Sequence, residues 1–227
     1  MELRFSREAP QPPRTAIEVA ALLLGVAIAL GSNFWPGRAV LRFGLSALGN
    51  PPYDGFVGAF LPHVLLYSTL MALVSAILWW VLIKARVLGG PQFGNVQQSI
   101  GLGAVGGVAG IVLTLAVVWA TMPAGTIHWI DPAPWKIGGN VFSNFFEEFV
   151  FRGFVLSALR RITGFWPAAL VSSAAWAALH TQYPLSLRLL ILVVGVGLCW
   201  LARRAQSLWA PYAAHEVLDL IGDSLIG

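Results

Sequence analysis

Charge and cysteine are both scarce in this chain. Asp, Glu, Lys and Arg make up 11% of its 227 residues, against roughly 25% in soluble domains. Hydrophobic residues make up 57%, more than one globular core can hide, so much of the apolar surface must face lipid. The single cysteine, Cys199, excludes an intrachain disulfide and a cysteine-based zinc cage. It lies in an apolar run and reads as a buried structural thiol. Familiar hydrolase strings are missing too. There is no GxSxG, and Gly222-Asp223 lacks the preceding glycine of a GxGD motif. The nearest approach to HExxH is His215-Glu216-Val217-Leu218-Asp219, with Asp at the second His position. The 14 Lys and Arg exceed the 10 Asp and Glu, but they sit mostly between apolar runs. That is the placement of membrane flanks, and it argues against a nucleic-acid partner.

The apolar runs predict an all-α, polytopic transmembrane bundle of about seven spans. A span needs about 20 mainly apolar residues. Residues 1–14 (MELRFSREAPQPPR) form a polar, Pro-rich arm. Residues 15–136 hold the N-terminal spans, about Thr15–Phe34, Gly55–Ile83 and Ser99–Met122. A short interfacial helix is expected over Arg38–Leu48, and residues 1–33 admit a cleaved signal peptide as the rival reading. Residues 137–227 hold four more helices, about Ile137–Arg161, Phe165–His180, Leu185–Leu201 and Gln206–Ile226. The third span carries no charge, and its pairs Gly103/Gly107 and Gly106/Gly110 have the spacing of close helix packing.

Seven spans put the termini on opposite sides. With the N-terminus inside, the inner segments carry Arg4, Arg7, Arg14, Lys84, Arg86, Arg160, Arg161, Arg203 and Arg204, and the outer ones Arg38, Arg42, Lys136 and Arg188. The bias favours a cytoplasmic N-terminus in a multi-pass protein of the inner (plasma) membrane.

The charges within the C-terminal helices carry the functional signal. Glu147 lies ten residues into the fourth span, about 15 Å deep at 1.5 Å per residue. An ionised group there costs at least ~2.5 kcal/mol unless it faces a partner or a cavity. Glu148 and Arg152 are four apart and share a helix face, as an ion pair does. Glu147 is turned by about 100° from Glu148. The economical reading gives Arg152 to Glu148 and leaves Glu147 as a general base facing a cavity. One buried salt-bridge cluster of all three is the plainer alternative. His180 ends the fifth span, where packing alone would explain it. His215 and Asp219 share a face of the last helix and suit water activation, metal binding or a local hydrogen bond. His63 and His128 read as ordinary polar residues.

Three strings then coincide with a known pattern. Glu147-Glu148-Phe149-Val150-Phe151-Arg152 matches EExxxR, Trp176-Ala177-Ala178-Leu179-His180 matches FxxxH with Trp for Phe, and His215-Glu216-Val217-Leu218-Asp219 matches HxxxN/D. In this order, over about residues 137–226, the chain resembles the CAAX-protease and bacteriocin-processing (CPBP, or Abi) family. The resemblance implies an intramembrane endopeptidase in which Glu147 activates water with help from His180. It implies that His215 and Asp219 stabilise the oxyanion, and that Glu148 and Arg152 brace the site. Trp176 would alter pocket shape. The implied partners are the lipid bilayer and a membrane-associated protein or peptide cut near a terminus, with no cofactor. One rival is a zinc enzyme using His180, His215 and Asp219 or Glu147. The other is a transporter or scaffold, although no internal repeat is visible.

Overall fold

A computed structural model describes residues 13, 15–34, 36–49, 61, 62, 64, 66–123, 126, 127 and 134–225. The expected arm, His63, His128 and the start of the second span lie outside these residues.

The described chain is helical, as the long apolar runs require: with no water to satisfy them, backbone groups in lipid must bond within the segment. In order come α1 (Ala16–Phe34), α2 (Pro36–Ala47), α3 (Thr69–Lys84), α4 (Val96–Thr121) and α5 (Pro134–Glu148). A π-helical segment, Phe149–Val155, joins α5 to α6 (Leu156–Thr163), and α7 (Phe165–Leu179), α8 (Leu185–Ala205) and α9 (Trp209–Leu225) follow. By length and composition, four helices among the described residues can cross a membrane: α1 running on into α2, α3 with its preceding turn, α4 and α8. Of the other C-terminal helices, α7 and α9 are shorter. At 15 residues, α7 spans about 22 Å, less than the ~30 Å of hydrocarbon.

The fourth expected helix is the one whose course differs. Instead of one α-helix it widens directly after Glu148, where the backbone N–H of Leu156 bonds the Phe151 carbonyl five residues back. The same carbonyl accepts a 2.8 Å hydrogen bond from the Ser172 hydroxyl of α7. Such widened turns concentrate at functional sites. The turn is wholly enclosed: Phe151, Phe154 and Val155 are among the most buried side chains of the core.

Glycine lets α4 lie close along α9. A Cβ at Gly103 would run into the Ala210 carbonyl, and one at Gly107 would come within 2.6 Å of Val217 Cβ and 2.8 Å of the Ala214 carbonyl. The glycine spacing in the sequence thus serves packing, and it sets the position of the helix that carries His215.

At one end of the bundle the α3–α4 and α8–α9 connections are stitched together. Leu208 N–H donates to the Gln92 carbonyl at 2.9 Å, and Ser207 Oγ donates to the Phe93 carbonyl at 3.0 Å. Arg161 of α6 lies 3.9 Å from Glu18 of α1 at the same end.

Candidate active site

A cavity of about 370 Å³ opens between α4, α5, α7, α8 and α9. Glu147, Trp176, His180, His215 and Asp219 all line it. Residues from three helices, spread over more than seventy positions of sequence, therefore meet on one space.

The two neighbouring glutamates part as their helical offset requires. Glu148 turns inward and is 1% exposed. Its Oε1 accepts from Arg152 Nη1 at 3.0 Å and lies 2.9 Å from His215 Nδ1. Arg152 is also buried, with its guanidinium 4.1 Å above the Trp176 ring. Two charges are tolerated here because they neutralise each other and because the cation also finds an aromatic face. Gly195 keeps the space open: a Cβ there would sit 2.9 Å from Ser173 Cβ and 3.1 Å from Arg152 Nη2.

Glu147 turns to the cavity and takes a donor that the sequence reading did not anticipate. Trp176 Nε1–H donates to Glu147 Oε2 at 2.6 Å. Phenylalanine at this position has no such donor. Trp176 also touches both histidines edge-on, at 5.0 Å from His180 and 5.2 Å from His215. Trp176 thus contacts Glu147, Arg152 and both imidazoles.

The histidines are oriented through their Nδ1 atoms. His180 Nδ1 lies 2.9 Å from the Trp176 carbonyl oxygen; a carbonyl only accepts, so Nδ1 carries a proton and Nε2 is the ring nitrogen left for other partners. Tyr183 stacks on the His180 ring at 6.1 Å. His215 donates from Nδ1 to Glu148, and its Nε2 is 3.7 Å from Asp219 Oδ2. The ring thus lies between two carboxylates, bonded to Glu148 through Nδ1 and with Nε2 turned towards Asp219 beyond hydrogen-bond distance.

Other cavity residues went unremarked in the sequence. Asn140, Ser143, Asn144 and Glu147 are spaced i, i+3, i+4 and i+7 and all line the wall. That is one continuous polar face on α5, legible as a pattern in an otherwise apolar helix. Facing it are the apolar Leu190, Ile191 and Val194 of α8. Among the described residues no three His, Cys, Asp or Glu side chains are grouped to hold a metal ion.

Residues 129–221 match the family model described as type II CAAX prenyl endopeptidase Rce1-like. This part of the chain is similar to that family. The match contains all three motifs that carry the resemblance, and it makes the protein a membrane peptidase of the CAAX-protease type. No curated protein and no solved structure matches the chain.

Proposed function

We propose that the 370 Å³ cavity is the proteolytic centre, and that Glu147 is its general base. The observation that carries this reading is the division between two adjacent carboxylates. Glu148 is enclosed and neutralised by Arg152, whereas Glu147 meets the cavity and is aimed by the Trp176 indole. In the proposed reaction Glu147 takes a proton from a cavity water as the oxygen attacks the scissile carbonyl. His180 Nε2 assists the proton transfer. The oxyanion of the tetrahedral intermediate is received by the His215 Nε2–H donor on α9, with the Asp219 carboxylate one turn away orienting that ring, since prepositioned donors act strongly in a dry site. Glu148 and Arg152 hold His215 and Trp176 in place. The amine then leaves with the proton carried by Glu147. Asn140 and Asn144 supply amides that a peptide backbone can bond, and the apolar α8 wall suits the side chains of a segment drawn from a membrane.

The substrate is proposed to be a membrane-associated protein or peptide cut near a terminus, in an inner (plasma) membrane with the N-terminus of the enzyme in the cytoplasm. The test is turnover of a substrate by purified protein in detergent. Glu147→Gln matches the shape of glutamate but cannot accept the proton, so cleavage should fall by about 10²–10⁴-fold with the melting temperature preserved. Retention of full turnover would sink the mechanism and bring the transporter or scaffold reading forward. Chelator treatment is the second arm, since a zinc enzyme loses activity and the mechanism above does not.

A further inference from the structure

The two ends of the bundle differ in charge and in access, and the difference fixes a direction. At one end lie the end of α3, with Lys84 and Arg86 close by, the end of α6 with Arg160 and Arg161, and the end of α8 with Arg203 and Arg204. Arg160 and Arg203 come close enough there to repel each other. The start of α1 belongs to this end through the Arg161–Glu18 contact. The connections at this end are closed by the Gln92–Leu208 and Phe93–Ser207 hydrogen bonds.

The cavity runs the other way. From Glu147 and His215 at mid-bundle its lining extends to Lys136 near the start of α5, to Gln182 and Tyr183 between α7 and α8, and to Gly222 late in α9. Each of these positions lies towards the helix ends opposite the arginine-rich end, where only Lys136 and Arg188 of the C-terminal helices carry positive charge, because α7 and α9 run away from the cationic end and α5 and α8 run towards it. Gln182 and Tyr183 are exposed. Lys and Arg in short flanking segments are retained on the cytoplasmic side of a membrane.

We infer that the cavity opens to the non-cytoplasmic face of the membrane, so that its substrate is an anchored polypeptide presenting the scissile segment outside the cytoplasm, next to its anchor. The inference rests on the proteolytic reading for the word substrate, but the direction of opening stands on the fold and the charges alone.

The test is cysteine labelling in intact cells or spheroplasts, with the full chain carrying Cys199→Ser so that the buried native thiol is silent. Gln182→Cys marks the cavity mouth and Arg204→Cys the cationic end; both sites are exposed. A membrane-impermeant maleimide should label Gln182→Cys at once and Arg204→Cys only after permeabilisation. Ser186→Cys, exposed in the first turn of α8, repeats the measurement if the first variant folds poorly. Labelling of the mouth only after permeabilisation overturns the inference. Because labelling needs no catalysis, this failure is distinct from failure of the Glu147→Gln test.

Discussion

The interface of α4 with α9 and the interface of α5–α6 with α7 and α9 bury opposite materials. The first is made of glycine against backbone and small side chains; α4 carries no charge along its length. The second encloses Glu148, Arg152 and His215 within one hydrogen-bonded group. Both hold helices in a medium where apolar burial gives little drive between helices, since lipid is as apolar as leucine. The glycine seam works by close approach and can be disturbed by volume alone. The charged group works by mutual satisfaction, and it fails when one member is removed and another is left unpaired.

The largest expected effect lies in the charged group. Arg152→Ala leaves Glu148 enclosed with no guanidinium, at a cost of about 3–5 kcal/mol. Thermal melts in detergent should place it well below Glu147→Gln, whose carboxylate faces the cavity. The reverse order would break the division of roles between the two glutamates.

Next comes the seam. Gly107→Leu forces bulk against the Ala214 carbonyl and Val217, and overpacking of this kind costs about 1–3 kcal/mol. Since Ala214 adjoins His215, activity should fall along with stability. The same change at Gly101, where a Cβ meets nothing within 4 Å, should leave the stability within ~0.5 kcal/mol of the parent. Equal losses at the two glycines would refute the seam.

Trp176→Phe sharpens the comparison from the side of the site. It keeps an aromatic ring beneath Arg152 but removes the 2.6 Å donor to Glu147. A hydrogen bond to a charged group contributes about 1.5–3 kcal/mol, so kcat should drop at least tenfold with KM nearly unchanged. A loss confined to KM would make Trp176 a pocket wall and not a positioning residue. The smallest effect is expected for Asp219→Asn, which keeps a polar group 3.7 Å from His215 and adds an amide donor. Its kcat should stay within about tenfold of the parent, measured in the same assay.

The amino-acid sequence by itself determined the class of the molecule and nominated the residues of the proposed site. Scarce charge and long apolar runs leave only a helical membrane bundle, because lipid offers backbone groups no other partner. The cost of carboxylates and imidazoles at membrane depth singled out Glu147, His180, His215 and Asp219. The i, i+4 spacing of Glu148 and Arg152 foretold their 3.0 Å ion pair, since helical neighbours four apart share a face whatever surrounds them.

Only the tertiary structure decided the rest. The widened turn after Glu148 holds Gly153, but a glycine inside a helical run does not by itself announce a π-turn; its Phe151 carbonyl is also met by Ser172 of α7, a partner 21 positions away. The link from Trp176 to Glu147 joins positions 29 apart, and His215 reaches Glu148 across 67. Such contacts depend on how helices cross. Crossing geometry is set by which surfaces can approach, here where Gly103 and Gly107 admit α9, and helical periodicity records the face a residue occupies but not the partner that comes to meet it.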